Sequence, residues 1–561
     1  MSAIDENALL GAGSNASALS RCACGQDAQA RIVAAGESSK AAMGWHRWLR
    51  TALIPLFASM WLAGLAGAAP SDSLWLDATG RPNASAHDAL RLLAEAGADG
   101  LAARDYRAAE LGAQAAAAAA APGAAVLPQP AFERDLSAAM RRYLHDLHLG
   151  RIDPRALGFP VARSGAAAPD FAALLYAGAA AGRLPEAVAE LRPRLGQYAK
   201  LREALARYRV LAADGSLVHP PFAAAAKRGE TYRDGVALHR LLVALGDLPA
   251  DAPSPTDGDD ATLAEGVSRF QNRHGLAVDG VLGRATLAAL NVALGHRVQQ
   301  LEWALERLRW LPDLSARPFI GINIPMFRLW ALDPATPDDA TISMKVVVGR
   351  ALKTQTPVLF EEMRYLVFRP YWNVPLSIVR NEILPTLTND PGYLQRNDME
   401  IVRGAGDDAK AVAASDENLA GLRQGNLRLR QRPGPKNSLG RVKFIFPNDA
   451  NVYLHDTPAP QLFSRERRDF SHGCVRAEDP LALALWLLKD QPGWTRDHIQ
   501  AAMAGTPSRR VDLTRPLPVI LFYMTAMVMP ADQALYFAGD IYGHDTRLAR
   551  ALASRRTVNS F

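Results

Sequence analysis

With 561 residues, 49% of them hydrophobic and 21% charged, the chain is too long for one ordinary domain and too apolar for a disordered one. Its formal net charge of +6 is small for that length, and no dense Lys/Arg stripe carries it. That argues against nucleic acid as a partner and leaves weak attraction to an anionic polymer or a membrane surface. Of 3 cysteines, Cys22 and Cys24 lie ahead of a candidate export signal, so a processed chain keeps Cys474 as a single thiol without a disulfide partner.

Residues 1–69 read as an N-terminal extension followed by a signal or anchor segment. Ala52–Ala69 is the long apolar run of the chain, preceded by His46-Arg47-Trp48-Leu49-Arg50 and closed by Ala66-Gly67-Ala68. A basic flank, a short apolar stretch and a small-residue end are the parts of a secretory signal. Pro55 and the shortness of the run disfavour a spanning helix. A cleaved signal and an uncleaved anchor at residues 52–69 both remain open, and membrane contact is expected only through this segment. Met43 offers an alternative start, and residues 1–42 carry no pattern that suggests a fold.

Residues 70–227 read as a helical scaffold. Ser85–Ala96 opens with Ser-x-x-Asp and repeats Ala89, Leu92, Leu93 and Ala96 at helical spacing. Phe132–Leu149 and Gln197–Tyr208 show the same period, and the alanine run Ala115–Ala121 ends at Pro122-Gly123. No catalytic cluster appears here.

Residues 228–295 form a separate unit. Leu263, Val267 and Phe270 make an apolar helix face, His274-Gly275 stops that helix, Asp279-Gly280 turns, and Thr286–Asn291 starts another. Through its FQ pair, HGL, DG turn, G-x-x-T-L helix start and final LN, Val267–Asn291 resembles the small three-helix peptidoglycan-binding module. Residues 296–316 then hold an amphipathic connector helix, Val298–Trp310, ended by Pro312.

From Phe319 the texture changes. Ile320, Ile322 and Ile324 alternate, as do Phe327, Leu329 and Ala331. Lys345–Val348 and Met363–Phe368 add further β runs. Residues 389–432 interrupt this pattern as a polar, flexible insertion of the kind that covers a site as a lid. Val442–Phe446 and Asn451–His455 predict a hairpin with His455 at its end, and Ser471–Cys474 a loop before the helix Leu481–Lys489. A free thiol titrates near about 8.5 and is mostly protonated at neutral pH. A histidine within reach takes that proton and leaves a thiolate–imidazolium pair. Gly473 lets a bound carbonyl approach, and main-chain N–H groups beside Cys474 form a candidate oxyanion hole, worth roughly 3–4 kcal/mol where such donors have been removed from other enzymes. His455, Asp456, His472 and Cys474 are ligand-type residues, but without C-x-x-C or H-x-x-x-H spacing they predict no metal.

Residues 317–545 resemble the YkuD-type L,D-transpeptidase catalytic domain, with residues 546–561 as a tail. The resemblance rests on Gly349 with Thr356-Pro357, Pro370–Pro375, Gly434, Leu439-Gly440-x-Val442-Lys443-Phe444, Tyr453–Thr457, Ser471–Arg476 and Ile541-Tyr542. Where many members have Asn, Arg476 stands, as in the larger multidomain branch. The resemblance implies a multidomain α+β protein: a helical scaffold, a peptidoglycan-binding-like module, and a mainly β catalytic domain with an inserted lid. It implies Cys474 as nucleophile, His455 as proton acceptor and donor, and the Asp456 main chain as the group that orients His455. Ser471 and His472 shape the loop and are candidates to hydrogen-bond substrate, and Gly473 supports the oxyanion site. Arg476 holds a carboxylate or braces the loop, and Trp372, Asn373 and Tyr453 line the cleft. The implied partners are peptidoglycan stem peptides and carbapenem-type inhibitors, without a cofactor, in the periplasm. An L,D-carboxypeptidase, a hydrolase that frees wall-attached protein, and a non-catalytic wall-binding protein stay open as alternatives.

Overall fold

The computed structural model describes residues 73–120, 129–161, 168–227, 230–255, 261–335, 342–406 and 408–558. The signal or anchor segment, Cys22, Cys24 and the end of the tail lie outside them. No described helix is long and apolar enough to cross a membrane.

The scaffold is helical. Its first helix, Ala84–Ala94, starts just ahead of the position the sequence suggested, because Asn83 caps it by accepting the Ala86 N–H. Ser85 instead donates to the Ala179 carbonyl at 2.7 Å. Leu92 and Leu93 meet Leu136, Met140 and Leu144 of the helix Gln129–Leu149 in a buried core. The helices Gly235–Leu245, Ala261–Arg273 and Arg284–Leu290 make the three-helix module. Gln271 knots its turn: the side-chain oxygen accepts the N–H groups of Asp279 and Gly280 at 3.0 and 2.9 Å, and the amide donates to the Val281 carbonyl at 3.0 Å.

The expected connector, Leu294–Leu308, is a core helix. Leu301, Ala304, Leu305 and Leu308 pack into the module, while Trp303 joins the core of the β domain.

That domain begins with β1 (Phe319–Asn323), β2 (Arg328–Leu332), β3 (Ile342–Gly349) and β4 (Leu359–Phe368). Next come β5 (Trp372–Asn373), β6 (Met399–Arg403), β7 (Lys410–Val412) and β8 (Arg428–Gln431). They are followed by β9 (Val442–Ile445), β10 (Leu454–His455), β11 (Asp469–Ser471), β12 (Val475–Ala477) and β13 (Arg509–Phe522). The main sheet runs β3-β12-β10-β9-β4-β13-β1-β2, and β2 pairs back onto β3, so the strands close into a ring. Ile320, Ile322, Phe368, Phe444, Leu454 and Val475 belong to its core. A last hairpin, β14 (Ala526–Val528) with β15 (Leu535–Phe537), packs against the three-helix module.

The insertion is a folded layer rather than a loose loop. β5–β8 form a sheet of their own in the order β5-β8-β6-β7. The layer starts at Trp372, because Val379 and Ile383, ahead of residue 389, share one core with Met399, Ile401, Leu422 and Leu429 behind it.

Charge is buried where scaffold, helix and barrel meet. The fully buried Glu306 carboxylate accepts the Arg151 and Ile152 N–H groups at 2.5 and 3.1 Å, Arg151 Nε at 3.0 Å and Arg309 Nη1 at 3.2 Å. Removing one member of such a group leaves its partners charged in a dry site, which costs about 3–5 kcal/mol. Glu306→Ala is therefore expected to lower unfolding stability by about that amount in urea titrations followed by tryptophan fluorescence. An unchanged midpoint would contradict the role given to this network.

Candidate active site

The turn before the site is made by Asn448. Its side chain donates to the Phe446 and Val452 carbonyls, both at 2.7 Å, and accepts the Val452 N–H at 3.1 Å. Asn451 is thereby held at φ +55°, and the second arm of the hairpin starts only at Leu454. β10 is short but paired on both edges. It runs antiparallel to β9 and parallel to β12, with Leu454 opposite Val475 and His455 opposite Arg476. Cys474 thus sits in the turn between β11 and β12, at the start of a strand, not on a loop leading to a helix.

This register decides what meets what. Leu454 and Val475 face the barrel core. Side chains alternate along a strand, so Tyr453, His455, Cys474 and Arg476 share the other face. His455 and Cys474 are diagonal neighbours there; such pairs are about 7–8 Å apart at the backbone, within reach of a ring. Among the described residues no hydrogen bond joins the two side chains, and catalytic contacts commonly close only once substrate is bound.

The cysteine turn is fastened from below. Thr356 Oγ1 donates to the Gly473 carbonyl at 2.7 Å and accepts the Gly349 N–H at 2.8 Å. Tyr542 Oη donates to the Gly349 carbonyl at 2.5 Å. Ser471 Oγ donates to the Cys474 carbonyl at 2.5 Å and accepts the Gly473 N–H at 3.2 Å. Gly473 has φ +115°, which an L side chain rarely adopts, and a Cβ on Gly349 would stand 1.9 Å from the Thr354 carbonyl oxygen. These contacts account for the sequence pattern around Gly349, Thr356-Pro357 and Ile541-Tyr542.

The imidazole is oriented by the main chain. His455 Nδ1 lies 2.5 Å from the Asp456 carbonyl oxygen, which can only accept, so the proton is on Nδ1 and Nε2 keeps its lone pair. Asp456 is itself pinned, its carboxylate accepting the Arg441 and Thr457 N–H groups at 2.8 and 2.7 Å. Burial drives the His455 pKa down to about 3, assisted by the charges of Arg476 and Lys443 and opposed by the Asp456 carbonyl. Burial also raises the Cys474 pKa, opposed by hydrogen bonds from the Tyr453 main chain and hydroxyl and by the Arg476 charge. The resting state is therefore neutral thiol beside neutral imidazole, not the ion pair expected from residue types alone. Arg476 favours the thiolate and disfavours the imidazolium.

The other candidates separate. Tyr453 stands edge-on to the His455 ring, with centroids 5.9 Å apart, and its hydroxyl acts on Cys474 in favour of the thiolate, while the thiol makes a long contact, 3.9 Å, with the Asn451 carbonyl. Trp372 packs on the core of the insertion and Asn373 is exposed on β5, and among the described residues no hydrogen bond or ring contact joins either to Cys474 or His455. His472 is engaged elsewhere: its Nε2 is 2.7 Å from Glu382 Oε1, tying the cysteine turn to the insertion. Nothing in the sequence singled out Glu382, which lies ahead of the expected insertion. Among the described residues no cluster of three His, Cys, Asp or Glu is placed to hold a metal ion.

Comparison with known proteins matches the sequence around this site to a family model. Residues 317–507 match the YkuD family, described as the L,D-transpeptidase catalytic domain. The chain carries a YkuD-type catalytic domain. Residues 70–205 match a "Scaffold domain" and residues 234–290 a "Putative peptidoglycan binding domain". A Haemophilus influenzae protein named "Putative L,D-transpeptidase" is 30% identical over 278 residues, which cover 49% of this chain and 54% of that protein. The chain thus spans about half the length of that relative.

The neutral pair in the YkuD-type domain has a measurable consequence. With the thiol pKa raised, iodoacetamide is expected to alkylate Cys474 slowly at neutral pH, the rate climbing through and above the ordinary thiol range of about 8.5. Tyr453→Phe, which removes a donor to the thiolate, is expected to move the profile further up. A rate already at its plateau by pH about 7 would show a resting thiolate and contradict this reading.

Proposed function

We propose that the chain is an L,D-transpeptidase of the cell envelope, acting outside the cytoplasm on peptidoglycan stems. The observation that carries the proposal is the shared face of Tyr453, His455 and Cys474, set by the pairing of β10 with β12. The YkuD match and the peptidoglycan-binding match support the substrate class.

In this mechanism the Cys474 sulfur attacks the carbonyl of the L,D bond before the terminal D-alanine of a tetrapeptide stem, while His455 Nε2 takes the thiol proton. A neutral imidazole is the form able to do so. The carbonyl oxygen gains negative charge and is met by the Cys474 N–H and the Tyr453 hydroxyl. Collapse breaks the C–N bond, His455 returns the proton to the departing amine, and a thioester remains. The side-chain amine of a second stem attacks the thioester and gives a proton to His455. The cross-link between two diaminopimelate residues forms and the thiol is restored. With water as acceptor the same thioester yields a carboxypeptidase or hydrolase, which the products distinguish.

Purified protein incubated with tetrapeptide muropeptides is expected to give cross-linked dimers by mass spectrometry. Cys474→Ala should abolish them, and His455→Ala should slow turnover by about 10²–10⁴-fold. Tyr453→Phe should lower kcat by up to about 10²–10³-fold, the loss of one oxyanion donor. Dimers formed by Cys474→Ala would refute the mechanism, and tripeptide monomers alone would assign hydrolysis.

A further inference from the structure

A second site lies far along the chain from Cys474. A cavity of about 310 Å³ opens between the end of the helix Gly196–Ala213, the helix Ala261–Arg273 with its cap, and the start of the helix Leu294–Leu308. That volume is at the small end of natural ligand pockets. Tyr208, Phe270, His274, His219, Arg297 and Asp214 are among its lining residues. Arg297 and Tyr208 fall outside the matched peptidoglycan-binding segment, so the cavity belongs to the junction of module and scaffold.

Arg297 is the reason to expect a ligand. Its residue is 8% exposed. Five of the other buried guanidiniums meet carboxylates: Arg151 and Arg309 meet Glu306, Arg273 meets Asp247, Arg307 meets Asp545 and Arg430 meets Glu400, whereas Arg468 spends its donors on four main-chain carbonyls and lines no part of the cavity. Arg297 donates to the Gln300 side chain at 2.9 Å and the Ala289 carbonyl at 3.0 Å and stacks over Phe537 at 4.7 Å. These two bonds use two of five donors, and both acceptors are uncharged; among the described residues no ion pair joins Arg297 to a carboxylate. A buried charge without a counter-charge is costly, and burial together with the nearby Arg273 holds its pKa down to about 10.

Two further features fit an anion that also donates hydrogen bonds. The first turn of Leu294–Leu308, whose N-cap Ala293 supplies no side-chain cap, lines the cavity, and a helix start favours negative charge. His274 Nδ1 donates to the Phe270 carbonyl at 2.7 Å, which leaves Nε2 as an acceptor for a hydroxyl or amide. Leu241, Leu245 and the Phe270 ring give apolar walls.

We propose that this cavity seats a carboxylate-bearing stem peptide of the wall polymer, with the carboxylate on Arg297 and a ligand amide on His274. The proposal rests on the wall-directed reading above and gives the chain a second grip on its substrate, away from Cys474.

The test uses the full-length Cys474→Ala protein, which cannot turn over substrate, titrated calorimetrically with a purified disaccharide-tetrapeptide and with its carboxamide form. Arg297→Met is expected to weaken binding of the acid form by about tenfold or more and to leave the carboxamide unaffected. Val218, 82% exposed, also lines the cavity. Val218→Asp adds a repelling charge without touching the core and should weaken the acid form, which keeps the test valid should Arg297→Met misfold. Asp214→Asn, which keeps the local turn, should tighten it. Acid and carboxamide binding alike, or indifference to both Arg297→Met and Val218→Asp, would overturn the seat. Cross-linking by the same variants with Cys474 restored separates the two ideas. Cross-links in the parent with Arg297-independent binding sink only the seat. Arg297-dependent binding without cross-links in the parent sinks only the catalytic reading.

Discussion

The site depends on one short strand pairing. Leu454 and His455 are held between β9 on one edge and β12 on the other, and the parallel register with Val475 and Arg476 decides which side chains share a face. Because side-chain alternation has a period of two, a slip of one residue would bury His455 and Cys474 in the barrel and expose Leu454 and Val475. The core cost of exposing those two apolar residues is what protects the catalytic face. Thr356 and Ser471 then hold the cysteine turn by its main chain, with Tyr542 bracing Gly349 beside it, so the turn does not depend on the sulfur, whose own contact is a long one to the Asn451 carbonyl.

Burial has opposite consequences at two places in the molecule. At His455 and Cys474 it keeps both groups uncharged, so the base is ready and the nucleophile stays protonated until a substrate arrives. Where scaffold, helix and barrel meet, charges are buried in matched sets around Glu306 and Asp545, and they make the helix Leu294–Leu308 common property of three regions. Arg297 on the same helix is the member left without a carboxylate, and it is the one beside a cavity.

Much of this was legible in residue order. The Ser471–Arg476 run and the upstream His455 are contiguous signals tied to a rare thiol, and the periodic helices from Ser85 to Tyr208 carry their core faces openly. The structure corrected what depends on long-range packing. The insertion looked loose because its apolar residues, such as Val379 and Leu429, are far apart in the chain and meet only when β5 pairs with β8. The helix Leu294–Leu308 read as an amphipathic connector because Leu301, Leu305 and Leu308 mark one apolar side, whereas Glu306 and Arg307 are also buried, against partners more than a hundred residues away. Glu382 and Trp372 exchanged prominence for the same reason: the fold of the insertion brings one to His472 and turns the other into its own core.

The most direct measurement is acid-quenched peptide mapping of the full-length protein after brief exposure to a tetrapeptide stem without an acceptor amine. The Cys474 peptide should gain the mass of the stem less D-alanine, more slowly in His455→Ala and not at all in Cys474→Ala. Release of D-alanine with Cys474 unmodified throughout, or the adduct on another residue, would contradict a thioester at this sulfur.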